Sequence, residues 1–546
     1  MGKICSKPSE FLNCDPNPPK TSLIKSTKSS IRKFSVTELE QRFLMTKKNL
    51  QIDWEKTLKD NSSSELLTQS ASLKSTMISK ISNCPIQKVY DLGKVVGEGY
   101  CGTVRRARLI QDKGAGRLYA VKSLNKRKIT ASNIQAVRRE IDIIKECDCY
   151  HIVQFYECYE DEHFYHIVTE FCEGGDLVSF VEKKNGLSEE LAKRWFWQAA
   201  TAVNYLHHFG VVHRDIKLDN FMLTSSEEEK ADLHLIDFGF ATYFRENPPK
   251  SVVGTPFYVA PEVLSKNYSK ECDVWSLGVL LYMMIFADPP FKGKRNTQIF
   301  ESIKTKEPEY LSGAKSEISP ELRTLLEGLL KKNPAERLTI SQALQSSWFN
   351  SAFTSFSSKW QSYMTMDLLE SLRSSKPRTH FQREVVHLMI RVHHEDPEVE
   401  RLAQVFALMD FLNTGIIGEA ELIHAWEAMG SSITRAEAKK IIDNSFLKTP
   451  GYISNTEFIA AAIDPKFYES DEHLRPVFER MDLDRCGHIG FEDVKFCFER
   501  FGYGLDDHTV NEFIKEFDFS KDGLISYEEF KRAVSGKNPK ETKIED

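Results

Sequence analysis

Apolar and polar positions along the 546-residue chain change rhythm three times. Residues 1–85 are rich in Ser, Thr, Lys and Asn, with Pro16, Pro18 and Pro19 early, which predicts a mobile extension with one helical patch over 35–67. From about Tyr90 the apolar positions crowd into short β-type runs such as 165–171, followed by longer helical patterns such as 191–207. Strands before helices predict two lobes, and the apolar run 276–287 reads as a buried helix of the second lobe. After Trp348 come a Ser-rich link and an amphipathic segment near 378–394.

The rest of the chain repeats itself. Gly415, Gly451, Gly487 and Gly523 are spaced 36 residues apart; Ile417, Ile453, Ile489 and Ile525 follow each by two, and Glu421, Glu457, Asp493 and Glu529 by six. A helix–loop–helix unit fits that period. A twelve-residue calcium loop needs oxygen ligands at positions 1, 3 and 5, Gly at 6, a backbone carbonyl at 7 and a bidentate acid at 12. Loop four, 518–529, satisfies the rule with Asp518, Ser520, Asp522, the Leu524 carbonyl, Ser526 and Glu529. Loop three, 482–493, has Asp482 and Asp484, but Cys486 at position 5, the His488 carbonyl at 7 and the shorter Asp493 at 12, which predicts weaker or more magnesium-like binding. Loop one, 410–421, keeps both end acids but has Leu412 at position 3, and loop two, 446–457, has Phe446, Lys448 and Pro450 where oxygens belong. Loop two is therefore expected to stay empty.

Charge sharpens this division. The overall net charge of -6 splits into a basic head, with 10 Lys/Arg against 4 Asp/Glu in residues 1–50, and an acidic tail, with 18 against 32 in 395–546. The longest nearly uncharged run, 276–287, falls far short of the ~20 residues a membrane helix needs. Eleven cysteines without paired zinc spacing, and no long apolar signal core, predict a reducing, intracellular setting. Cys486 and His488 lack the two further ligands that a zinc site would need.

Five linked motifs carry the remaining chemistry. The run Gly97-Glu98-Gly99-Tyr100-Cys101-Gly102-Thr103-Val104 is weak by itself, but Tyr119-Ala120-Val121-Lys122 follows, and Glu140 lies on the amphipathic segment 133–147. Then come His213-Arg214-Asp215-Ile216-Lys217-Leu218-Asp219-Asn220, Asp237-Phe238-Gly239 and Ala260-Pro261-Glu262. In this order they are the parts of a protein kinase. Glycines let the backbone close over phosphates, Lys122 held by Glu140 orients them, Asn220 and Asp237 are placed to hold Mg2+, Asp215 to accept the substrate hydroxyl proton, and Lys217 to steady the γ-phosphate. Lys217-Leu218-Asp219 fits Ser/Thr rather than Tyr substrates.

The whole chain resembles the calcium-dependent protein kinases of plants and protists over roughly residues 85–535. The resemblance implies an α+β bilobal protein kinase fold followed by an all-α calmodulin-like domain of two EF-hand pairs. The expected division is a basic extension (1–85), kinase (86–349), autoinhibitory junction (350–395), a degenerate EF-hand pair (396–465), a second pair (466–536) and a tail (537–546). It implies that the junction blocks the cleft until calcium makes the EF-hands seize it. Phe381, Val385, Leu388 and Met389, at i, i+4, i+7 and i+8 with Arg378, Arg383 and Arg391 nearby, suit such a groove. ATP contacts are expected from Val96, Gly97, Glu98, Gly99, Gly102, Val104, Ala120, Lys122, Glu140, Thr169, Glu170, Cys172 and Asp176, with adenine on the backbone between Glu170 and Cys172. Asp176 and Asp219 match acids that receive an arginine of the substrate, so basic-directed protein substrates are expected. Asp273 resembles the acid bracing the catalytic loop and Arg337 the partner of Glu262. Cys101 replaces the usual aromatic at the glycine-loop tip, and Ser251 is a possible activation-loop phosphosite that Arg214 is placed to pair with.

Met1-Gly2-Lys3-Ile4-Cys5-Ser6 fits the acceptor pattern for myristate on Gly2, with Cys5 placed for palmitate and the basic stretch 20–33 as a further membrane signal. The expectation is a cytoplasmic, membrane-associated monomer that uses ATP, Mg2+ and Ca2+ and binds no nucleic acid. Two rivals are a calcium-sensing scaffold with an inactive kinase lobe and a kinase driven by external calmodulin. Intact Lys122, Asp215, Asn220 and Asp237 oppose the first, and loop four opposes the second.

Overall fold

The computed structural model describes residues 85–99, 102–110, 117–129, 134–244, 253–308, 318–349, 363–375, 378–445, 451–500 and 505–535. Gly2, Cys5, the patches 20–33 and 35–67, Cys101, Ser251 and the first five positions of loop two lie outside them.

The first lobe is a five-stranded antiparallel sheet of β1 (Tyr90–Glu98), β2 (Gly102–Leu109), β3 (Tyr119–Asn125), β4 (Phe155–Glu160) and β5 (Phe164–Glu170), in the order β1-β2-β3-β5-β4. Helix α1 (Ile134–Glu146) buries Val137, Ile141, Ile143 and Ile144 and, among them, Glu140. The second lobe is helical. Its α2 (Leu177–Lys184) and α3 (Glu189–His208) are N-capped by Asp176 and Ser188. Short strands β6 (Phe221–Leu223) and β7 (Leu233–Leu235) carry the residues before the second metal-binding acid. Helix α4 (Glu271–Phe286) contains the apolar run read from the sequence and is buried along nearly its whole length. Among the described residues no helix is long and apolar enough to cross a membrane.

The junction forms α5 (Met366–Ser374) and α6 (His380–Val392). Four helix pairs follow: α7 (Pro397–Met409) and α8 (Glu419–Ala428), α9 (Arg435–Ser445) and α10 (Asn455–Ala462), α11 (Asp471–Met481) and α12 (Phe491–Arg500), α13 (Asp507–Phe517) and α14 (Tyr527–Val534). The repeated isoleucines acquire a reason here. Ile417 faces Ile453 and Ile489 faces Ile525 in two-residue antiparallel ladders that join the loops in pairs.

The apolar cores, one of them confined to the strand lobe, show where the junction belongs. Kinase helices share one apolar core ending at Trp348 and Phe349. Leu368, Leu369, Leu372, Val385, Leu388 and Met389 of α5 and α6 belong to another core, with Phe406, Phe458, Phe478, Phe513 and Phe530 of the helix pairs. Phe381 meets Phe513 edge to face, its ring centre 5.2 Å away.

The helix-pair module lies against the kinase. Arg480 of α11, 5% exposed, reaches Glu157 of β4, which is fully buried: Nε donates to Oε1 (3.1 Å) and Nη2 donates to the Tyr90 hydroxyl (3.0 Å). Arg117 donates to the Val392 carbonyl and pairs with Glu395 (3.1 Å). The Thr456 hydroxyl donates to Asp148 (2.7 Å), and Asn204 of α3 donates to the Asn413 carbonyl in loop one (2.6 Å).

Candidate functional site

The glycine loop is a hairpin in register, with Gly97 opposite Val104 and Glu98 opposite Thr103, and Gly99 N donating to Gly102 O (2.9 Å). Gly102 passes so near β3 that a Cβ there would stand 2.0 Å from the Ser123 carbonyl oxygen. Val96 is half exposed on β1, and Ala120 lies opposite Thr169 across the β3–β5 ladder.

Lys122, opposite Val104 on one side and Ile167 on the other, sends Nζ to Glu140 Oε1 (2.6 Å) and Asp237 Oδ1 (2.8 Å). One ammonium thus joins β3, α1 and the segment after β7. Burial works against its charge, but the two carboxylates outweigh it and hold the ammonium above its ordinary range. Burial likewise raises Asp237, yet Lys122 overrides it and keeps that acid well below the usual carboxylate range. Glu140 shifts upward because burial dominates there. Phe238 is buried, with its ring centre 5.4 Å from that of His213.

The catalytic loop is braced from behind. Asp273, fully buried, accepts the backbone N–H groups of His213 and Arg214 (2.8 Å each) and faces His207 Nε2 (2.9 Å). This matches the expected role, and it lets Arg214 hold a φ of 69°. Asp215 Oδ2 pairs with Lys217 Nζ (2.8 Å), and Asn220 Nδ2 donates to the Asp215 carbonyl (2.7 Å) and carboxylate (3.1 Å). With its nitrogen so engaged, Asn220 has its oxygen left as the metal-ligating end of the amide, which suits a hard cation. Arg337 and Glu262 form the expected buried pair (2.6 Å). The Arg214 guanidinium donates to the Phe240 carbonyl (2.7 Å).

Sequence reading missed one member. The Thr255 hydroxyl donates to Asp215 Oδ1 (3.0 Å) and accepts from Lys217 Nζ (3.2 Å), so it links the two catalytic side chains. Its only signal was a hydroxyl residue between Gly254 and Pro256, just before Ala260-Pro261-Glu262.

At the hinge, Thr169 is half-buried and Glu170 and Cys172 are buried. The Asp176 carboxylate caps α2, accepting from Ser179 N (2.7 Å) and Oγ (3.0 Å).

In the repeat module, each described loop folds onto its own acids. In loop four, Asp518 accepts from Ser520 Oγ, Lys521 N and Gly523 N; Asp522 accepts from Leu524 N, and Glu529 from Ser520 N and from Ser526 N and Oγ. Gly523 makes the turn at φ 85°. Burial pushes Glu529 up, but these donors outweigh it and bring it down to about 2, ready to ligate as an anion. In loop three, Asp482 and Asp484 accept from Cys486 N, and Asp493 accepts from Leu483 N and Gly490 N; Cys486 Sγ donates to the His488 carbonyl (3.3 Å). Asp482, Asp484 and Cys486 bring one ligand atom each within 4.8 Å of the others. Loop one buries Asp410 and Glu421 and turns Leu412 and Asn413 toward α3. Of loop two, Glu457 is fully buried and accepts from Ser454 N (2.8 Å) as a helix cap.

A phosphate-binding lysine held by two acids, a braced aspartate base and paired calcium loops define a protein kinase joined to an EF-hand module. Comparison with known proteins agrees: residues 90–349 match the protein kinase domain and 471–535 the EF-hand domain pair. The chain is 34% identical over 448 residues to calcium-dependent protein kinase 29 of Arabidopsis thaliana, covering 82% of each chain. It is 33% identical over 454 residues to calcium-dependent protein kinase 19 of Oryza sativa subsp. japonica, covering 83% of each. Calcium-dependent protein kinase 2 of Zea mays is also 33% identical, over 83% of this chain and 86% of its own. The chain belongs to the calcium-dependent protein kinase family: it is an ATP-using protein serine/threonine kinase whose catalytic domain is joined to calcium-binding EF-hands.

Proposed function

We propose that this kinase is held inactive by its junction, residues 350–395, and released when calcium in loops three and four leads the EF-hand module to take up α6. What supports the reading is that the apolar face of α6 lies in the module's core, against α10, α11 and α14, and not in the kinase core. In the released enzyme Asp215 takes the proton of a substrate Ser or Thr hydroxyl, Lys217 steadies the γ-phosphate, and Lys122 orients the α- and β-phosphates. Asn220 and Asp237 would hold Mg2+, whose charge offsets that of the transferring group. Adenine takes the backbone between Glu170 and Cys172. The ion-paired geometry around Lys122 favours an active lobe over an inactive scaffold.

Calcium titration of phosphoryl transfer in the full chain tests this reading. Met389→Asp should leave calcium binding intact but abolish stimulation, and truncation after Trp348 should make activity calcium-independent. Retained calcium dependence in the truncated chain would count against the junction as the block.

The same reading extends to acylation of Gly2 and Cys5, membrane association of a cytoplasmic monomer, basic-directed substrates and phosphorylation of Ser251. Unchanged membrane partitioning of Gly2→Ala would remove the anchor.

A further inference from the structure

A second constellation lies behind the hinge, among side chains to which phosphoryl transfer assigns no role; adenine takes only the backbone there. Glu170 and Cys172 are two positions apart in extended chain, so their side chains share one face. They are 9% and 7% exposed, and His234 of β7, 6% exposed, meets them from the second lobe. His234 Nδ1 lies 2.9 Å from Glu170 Oε1, and Cys172 Sγ lies 3.7 Å from the same oxygen. One ligand atom from each residue falls within 4.8 Å of the other two.

An ordinary buried ion pair would account for Glu170 and one ring nitrogen. It leaves the buried thiol only a long contact with the same oxygen, and His234 Nδ1, the ring nitrogen facing Glu170, is buried without a well-directed hydrogen bond. Oxygen, nitrogen and sulfur donors 2.0–2.3 Å from a tetrahedral ion stand roughly 3.3–3.5 Å apart, between the 2.9 Å and 3.7 Å separations of Glu170 from His234 and Cys172. The second carboxylate oxygen of Glu170 already accepts from Gln154 N (3.0 Å), the outer contact that orients a ligating acid. Sulfur and imidazole donors disfavour Ca2+ and Mg2+ and select a borderline-soft ion.

We propose that Glu170, Cys172 and His234 form a site for a divalent cation of the zinc class, with the fourth position left to a small non-protein ligand such as water. Its loading breaks the Cys172 S–H bond: the thiolate becomes the sulfur ligand and the proton goes to solvent. The ligands come from the strand that connects the lobes and from the floor of the second lobe, so the ion staples the pivot behind the adenine position. This site goes beyond the calcium loops and the phosphoryl-transfer centre.

Cobalt(II) is the probe, because thiolate ligation gives it a near-ultraviolet charge-transfer band and tetrahedral geometry gives intense visible bands. The full chain carrying Cys486→Ser is used, in excess calcium, so that loop three contributes no sulfur. One equivalent of Co2+ should develop both sets of bands, and Zn2+ should displace it. Cys172→Ser should abolish the charge-transfer band, and His234→Gln, which removes a direct ligand, should weaken affinity by more than the ~10–100-fold that loss of an outer contact costs. If Cys172→Ser does not fold, X-ray absorption of the zinc-loaded parent decides the matter by the presence or absence of one sulfur in the first shell. No charge-transfer band in the parent, or a band undiminished in Cys172→Ser, overturns the assignment.

Discussion

Thr255 shows how much of this catalytic centre depends on a single hydroxyl. By bonding Asp215 and Lys217 together it fixes both the base and the phosphate-steadying ammonium before a substrate arrives. Thr255→Ala should lower kcat roughly tenfold, the equivalent of ~1.4 kcal/mol for one hydrogen bond to a charged group, while Thr255→Ser retains most activity. Asp215→Asn should cost ~10²–10⁴-fold in kcat with ATP affinity nearly unchanged, measured by steady-state kinetics beside nucleotide binding. In loop one, burial pushes the Asp410 carboxyl up to about 7, and Glu421 beside it rises well above the usual range. A carboxyl with a raised folded-state pKa binds protons more tightly when folded. Asp410 therefore contributes stability that fades as pH rises from about 4 to about 7, so the stability difference between Asp410→Asn and the parent should move in the variant's favour across that window. Paired thermal melts of parent and variant across this window check the sign; a difference that moves in the parent's favour as pH rises would refute it.

Elements repeat the lesson that short spacing is readable and long reach is not. Helix α6 was legible from Phe381, Val385, Leu388 and Met389 because its apolar stripe has a helical period that any groove must match. The kinase motifs were legible because each packs its chemistry into a few consecutive residues, and the calcium loops because ligand geometry fixes a twelve-residue frame. Arg480 was not. Its neighbours on α11, Leu474, Val477, Phe478 and Met481, are all buried, and the one hint was a guanidinium set among them. Its partner Glu157 lies 323 residues earlier, a separation that no local pattern records. Gly102 sits between these cases: the motif named it, but only the approach to Ser123 explains why a side chain fails there. Gly102→Ala should force β2 away from β3 and weaken ATP binding, readable by nucleotide titration.

For the molecule as a whole, the Arg480–Glu157 contact ties the helix preceding loop three to the sheet that carries Lys122. Breaking a buried pair leaves the surviving charge uncompensated, at a cost of ~3–5 kcal/mol. Arg480→Met should therefore lower calcium-stimulated activity and loosen the module from the kinase, seen as faster hydrogen exchange in β4, while calcium binding to loop four stays intact. Glu157→Gln in the same chain should recover part of the loss, because it removes the stranded charge. Loop one adds a further consequence. Its Leu412 and Asn413 carbonyls accept from Asn204 of α3, so a loop with weak cation chemistry serves as mortar between domains. On the proposed reading that calcium acts through loops three and four, the steepness of the response is bounded: a Hill coefficient no greater than two, so at least about a ninefold rise in free calcium between one-tenth and nine-tenths activation.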